Sequence, residues 1–214
     1  MTDRRWSDWP RPARRTSYVP THPPGARGAS RPMVPLARRL GVRERPAQRR
    51  PPSPAYGLTI PVVSGTGSGS TRLSAFDAAL RSADAGDFNL VRLSSIIPAG
   101  SRVVPTQDGL PGTFGDVLYC VRAEAFTDTP GAQVWAGLGW VTTDSGAGLF
   151  VEHTGETRSA LERTIAATLT EMVAARDGSY GPIQKQLASA RCDDQPVCAL
   201  VLAAYSTASW ESDG

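Results

Sequence analysis

Between residues 58 and 214 the apolar positions fall into short runs separated by Gly and Pro, and the runs differ in period. Leu58 to Val63 (LTIPVV) predicts a first strand, with Pro61 marking an edge or a strand end. The stretch SGTGSGST that follows predicts a flexible loop. Residues 71–85 change to helical spacing, with Leu73, Phe76, Leu80 and Ala83 on one stripe and Gly86 as the stop. Phe88 to Ile97 (FNLVRLSSII) predicts a single strand ended by Pro98. Pro105, Gly109, Pro111 and Gly112 make residues 101–114 a loop. Gly115–Ala125, Gln133–Thr143 and Gly148–His153 predict three further strands. Residues 157–176 give the clearest helix, because Leu161, Ile165, Leu169, Met172 and Val173 recur at spacings of three and four. Ser159 and Glu162 fit a capping box near its start, and Arg176 followed by Gly178 closes it. Two last strands fall near Ile183–Ala190 and Val197–Tyr205. This order, β-α-β-loop-β-β-β-α-β-β, mixes helices with hairpin-connected strands and predicts an α+β fold, a mixed or antiparallel sheet covered by helices.

Charge divides the chain at about residue 57. Residues 1–57 carry 13 Arg, no Lys, 3 acids and 11 of the 18 prolines, a net charge of +10. Residues 58–214 carry net −7, so the +3 of the whole chain describes neither part and gives no ground for a basic nucleic-acid-binding domain. The first 57 residues are too polar and too rich in Pro to bury a core, which predicts a disordered tail. Its function is either electrostatic contact with nucleic acid or anionic lipid, or nothing beyond solvation; a transit peptide and an early start codon are further readings. The remaining 157 residues are enough for one domain. No run reaches the length of a membrane-spanning helix, the N-terminal region lacks an apolar signal core, and three cysteines give no disulfide framework, so the cytoplasm is the expected compartment.

Few positions carry candidate chemistry. The loop Gly65-Thr66-Gly67-Ser68-Gly69 precedes a helix but lacks the Lys of a phosphate-binding loop and the spacing of a dinucleotide fingerprint, so close approach of backbones is the better account. Asp77 lies within about 40° of Leu73 on the helical wheel and borders the apolar stripe. It serves either a structural ion pair or a cationic ligand. Ser94 and Ser95 interrupt an apolar run, with no His nearby in sequence to activate them, and buried hydroxyls there need hydrogen bonds. Glu152 shares a strand face with Phe150, and an outward, solvated Glu is the plain alternative. His153 is the sole histidine outside the tail, which removes a multi-His zinc site, and Cys192 and Cys198, spaced C-x5-C, read as ordinary thiols.

Taken together, Gly65-Thr66-Gly67, Leu73-Ser-Ala-Phe-Asp77-Ala-Ala-Leu80, Asn89-Leu-Val-Arg-Leu-Ser94-Ser95-Ile-Ile-Pro98 and Gly148-Leu-Phe-Val-Glu152 resemble the pyruvoyl-dependent arginine decarboxylase family over residues 58–205. The resemblance implies an αββα sandwich assembled as a homotrimer with active sites between subunits. It implies self-cleavage between Ser94 and Ser95, which would leave Ser95 as an N-terminal pyruvoyl cofactor, with no metal and no pyridoxal phosphate. That ketone would form a Schiff base with the substrate α-amine and accept electrons as CO2 leaves, converting L-arginine to agmatine. Glu152 would donate the proton to the substrate carbon. Asp77 would bind the guanidinium, a group that suits a bidentate carboxylate. Asn89 would orient the substrate or the processing peptide, and Leu80 and Ile96 would line the aliphatic part. Ornithine or lysine are the alternative substrates, and an uncleaved relative that binds nucleic acid through the tail is the alternative of another class.

Overall fold

The computed structural model describes residues 57–210; the predicted tail before residue 57 and the last four residues lie outside the described region. Nine strands and two helices follow in the order β1 (Thr59–Ser68), α1 (Arg72–Ser82), β2 (Asn89–Arg92), β3 (Ile96–Ile97), β4 (Arg102–Pro105), β5 (Val117–Thr127), β6 (Gln133–Thr142), β7 (Gly148–Gly155), α2 (Arg158–Ala174), β8 (Gln184–Arg191) and β9 (Val197–Ala208). They form a five-stranded sheet, β2-β5-β9-β1-β4, and a four-stranded sheet, β3-β7-β6-β8. The first is mixed, since β1 and β4 run parallel, as do β2 and β5. The second is antiparallel throughout. The fold is α+β, as the element order predicts.

Three apolar layers hold it together. Between the sheets lie Ile60, Val62, Val121, Val201 and Tyr205 from one side and Leu138, Trp140 and Phe150 from the other. Under α1, the side chains of Ala75, Ala79, Leu80 and Ala83 meet Leu118, Leu200 and Leu202. Under α2, Leu161, Ile165 and Leu169 meet Val141, Leu149 and Val151. The layers are therefore helix, sheet, sheet, helix. Strict alternation along β7 sends Phe150 to the inter-sheet layer and Val151 to the α2 layer, so Glu152 follows Phe150 inward rather than out to solvent.

Several local expectations shift. The stretch expected as a flexible loop after Val63 is mostly strand: Ser64 to Ser68 pair with Val201 to Val197 of β9. Its glycines serve close approach, because a Cβ at Gly65 or Gly67 would lie 2.3 Å from a backbone atom of Ala79 in α1. That contact also explains the helix face. The groove over glycine suits Ala75 and Ala79, so the buried stripe passes through alanines, and Leu73 is left exposed. Pro61 lies inside β1 with β4 as its partner, before the β9 ladder begins at Val62, so that ladder loses no donor. Residues 102–105, expected as loop, form β4.

Both helix ends move by a few residues. Helix α1 starts on a reciprocal Thr71–Ser74 capping box. It ends before Gly86, with Asp84 at φ +52 and the Ala85 and Asp84 amides donating to the carbonyls of Leu80 and Arg81. In α2 the cap is Thr157, whose hydroxyl accepts from Ala160 N, rather than the expected Ser159. Glu162 instead pairs with Arg158 and Lys185. Arg176 closes the helix by donating to Met172 O at 2.7 Å.

Candidate active site

The expected strand from Phe88 to Ile97 is two strands in different sheets. Asn89–Arg92 runs parallel to β5 in the five-stranded sheet, and Ile96–Ile97 pairs with Leu149 and Gly148 of β7 in the other. Leu93, Ser94 and Ser95 make the crossing. Leu93 N still donates to Cys120 O, and Ser95 O already accepts from Phe150 N at 2.8 Å, so the chain changes partner sheets within about one residue. The turn is made at Ser95, whose φ is +71. A residue with a Cβ in the left-handed region costs about 1–2 kcal/mol. At Asp84 a helix end accounts for such a conformation; at Ser95 the change of sheet imposes it.

Ser94 is exposed at this crossing and Ser95 is buried. The Ser95 hydroxyl donates to Glu152 Oε1 at 2.7 Å. Glu152 reaches it from the inward face of β7, and its Oε1 also lies 3.9 Å from Nη2 of Arg92. Arg92 is held by a second bond, from Nη2 to the carbonyl of Arg122 at 3.2 Å. Behind them, the Tyr205 hydroxyl donates to Ile96 O at 3.1 Å, and burial, together with the negative Glu152 nearby, pushes that phenol well above the usual tyrosine range. Arg92, Ala123, Glu124, Glu152, His153 and Thr154 line a cleft of about 260 Å³ beside Ser95. Clefts of similar size around Asp84 are lined by Ser64 and Thr106 or by Phe88 and Phe114. Chemistry rather than volume selects the cleft beside Ser95, where a hydroxyl, a carboxylate and a guanidinium converge.

The other sequence-predicted residues do not all gather here. Ile96 follows Ser95 in sequence and is exposed; it pairs with Leu149, which packs in the α2 layer, and it is not among the residues that line the cleft. Asn89 stands at the far end of β2, where its Nδ2 donates to Gly115 O at 2.6 Å, a carbonyl that also accepts from Trp210 Nε1. Leu80 is buried under α1. Asp77 is on the solvent side of α1, across the five-stranded sheet from Ser95, with its carboxylate on Arg81 at 3.0 Å. The wheel position that borders the apolar stripe therefore faces water, and of the two readings for Asp77 within one protomer the ion pair is what forms. Sequence reasoning passed over Arg92 and Tyr205. Arg92 sits inside the block that carried the resemblance, three residues before Ser95, and that spacing was its signal. Tyr205 had none, because it reaches Ile96 from another strand.

All three cysteines are buried thiols. Cys198 lies in the layer under α1 and Cys192 donates to Gln195 O, so the C-x5-C spacing does not bring them to one site. Among the described residues, no group of three His, Cys, Asp or Glu side chains is arranged to hold a metal ion, and no helix is long and apolar enough to cross a membrane.

Known proteins resemble this chain over nearly all of the described residues. The family model described as pyruvoyl-dependent arginine decarboxylase matches residues 59–209. A pyruvoyl-dependent arginine decarboxylase of Halobacterium salinarum is 36% identical over 151 residues, which span 68% of this chain and 92% of the relative. One from Thermococcus sibiricus is 32% identical over 143 residues, 65% of this chain and 89% of the relative. Pyruvoyl-dependent arginine decarboxylase 2 of Archaeoglobus fulgidus is 34% identical over 114 residues, 52% and 73% of the two chains. The match runs from β1 through β9 and takes in the crossing at Ser95 and the carboxylate that meets it: the chain belongs to the pyruvoyl-dependent arginine decarboxylase family.

Proposed function

We propose that this protein cleaves itself between Ser94 and Ser95 and then decarboxylates L-arginine to agmatine and CO2. The observation that carries the reading is the 2.7 Å bond from Ser95 Oγ to Glu152 Oε1 at a residue held at φ +71. Glu152 takes the hydroxyl proton as Oγ attacks the Ser94 carbonyl carbon. The C–N bond breaks, the amine of residue 95 gains a proton, and the chain is joined by an ester. Loss of the Ser95 Cα proton then expels the Ser94 carboxylate and leaves a dehydroalanine end. Tautomerisation and attack by water release ammonia and leave a pyruvoyl group. The residues fit that group: a serine supplies its three carbons, and a strained, half-turned backbone favours the attack.

When present, the group supplies a ketone that condenses with the substrate amine and takes up the electron pair as CO2 departs. The chain's own residues do the rest. Glu152 holds a proton on Oε1 for the substrate carbon. Ile96 offers an apolar side chain to the aliphatic part of the substrate. Asp77 would bind the guanidinium. It lies across a sheet from Ser95 in its own protomer, so this role needs a neighbouring copy. Val91 and Tyr119, which are ladder partners, are both exposed, and another copy that covered them would suit a homotrimer with sites between subunits. Asn89 acts at a distance, by fixing the Gly115 turn at the head of β2.

Intact mass of the purified protein under denaturing conditions tests the reading. Two chains parting at Ser94/Ser95, the larger with a blocked N-terminus, are expected, together with agmatine formation from arginine. Ser95→Ala should remain one chain and be inactive; a cleaved or active Ser95→Ala protein would refute the mechanism. Parallel assays with ornithine and lysine decide the side chain recognised.

A further inference from the structure

Tyr205 is a phenol in an apolar layer. Its ring packs against Phe150 at 6.2 Å between centroids, among aliphatic side chains from both sheets. A phenylalanine would fill the same space, so packing does not account for the hydroxyl. That hydroxyl donates to the carbonyl of Ile96, and Phe150 N donates to the carbonyl of Ser95. These two bonds hold the two carbonyls that follow the Ser94–Ser95 bond. Ser95 stands just before β3, and Ile96 opens that strand, which is only two residues long. So short a strand at a chain terminus frays unless something else ties it down. While the chain is continuous, β2 restrains it from the other side through Leu93 N and Cys120 O.

We propose that Tyr205 is a positioning residue that keeps the residue-95 chain end docked on β7, facing Glu152, after the Ser94–Ser95 bond is broken. The proposal rests on the self-cleavage reading. Tyr205 touches no reacting atom; it acts through where residue 95 is held, and small misplacements of a reacting group are costly to rate.

The test reads backbone hydrogen exchange at Ile96 and Ile97 in four full-length proteins: the natural chain, Tyr205→Phe, Ser95→Ala and the double variant. In the cleaved proteins Tyr205→Phe should speed exchange at these amides about tenfold, the loss of one net hydrogen bond. In the uncleaved Ser95→Ala background the same substitution should change it less than about twofold, because the continuous chain still restrains the strand. Turnover of arginine by cleaved Tyr205→Phe should fall about tenfold in kcat with KM near the natural value. Equal loosening in both backgrounds, or loss of protection throughout the sheets of the double variant, marks a merely structural hydroxyl and overturns the proposal. So does natural exchange and kcat in cleaved Tyr205→Phe, or a folded Tyr205→Phe that stays uncleaved. A natural protein that remains one chain overturns the cleavage reading and this proposal together; a cleaved natural protein with an indifferent Tyr205→Phe overturns this proposal alone.

Discussion

Ser95 combines three properties that seldom meet in one serine: it is buried, it sits at positive φ, and its hydroxyl is already given to a carboxylate. Sequence exposed the chemical half of this. Two serines inside an apolar run, and a glutamate sharing a face with Phe150, were readable; the strain was not, because it comes from a change of sheets that periodicity cannot register. Leu73 does not mark the buried face of α1, for a related reason: glycines in β1 turn the alanine face of the helix inward, and Leu73 and Asp77 go to solvent together. The thiols offer a check on burial that is independent of catalysis. Burial pushes Cys120 up to about 11 and Cys198 up to about 12 from an ordinary value of 9.0. Unfolding therefore favours their ionisation. Their contribution to stability is intact below pH 9.0 and is lost as pH rises toward 11 to 12. Urea midpoints should fall across that window, and replacing both thiols by Ala should flatten the slope. Tyr205, raised in the same direction, accounts for part of what remains.

At the scale of elements, what periodicity made legible were α2, with its buried Leu161, Ile165 and Leu169, and the long strands β5, β6, β7 and β9, each found within a few residues of its expected span. The short or unusual elements escaped. Strand β4 contains a proline and is four residues long, and β3 is two; both are strands because a neighbour supplies the ladder, not because their own residues insist. The Gly-rich half of β1 carries almost no strand propensity of its own and owes its extension to β9 on one side and the close lid of α1 above. That dependence predicts a sharp penalty. Gly67→Ala puts a methyl group 2.3 Å from Ala79 N and 2.5 Å from Ala75 O, both backbone atoms that cannot swing aside. The helix must lift from the sheet, and a loss of about 1–3 kcal/mol is expected in urea unfolding. Gly131→Ala meets nothing within 4 Å, and any loss there would come from its φ of +80 alone.

For the whole molecule, the α+β class was legible in the order of helices and hairpins, while the four-layer arrangement was implied by the family resemblance alone. Which strands share a sheet was not legible, and that pairing matters most for what a cut at Ser94 would do. Strand β1 lies between β9 and β4, an interior position, and α1 covers the face beside it. A chain ending at residue 94 would carry β1, α1 and β2, while every neighbour of those strands would belong to the other chain. Neither piece could close its core by itself. Folding would be unimolecular once, during the life of the precursor, and bimolecular ever after. Denatured mature protein should then recover with second-order kinetics and a yield that falls on dilution, while Ser95→Ala should refold at a rate indifferent to concentration. The order of reaction in a dilution series would show whether a protein keeps, after maturation, the ability to make itself again.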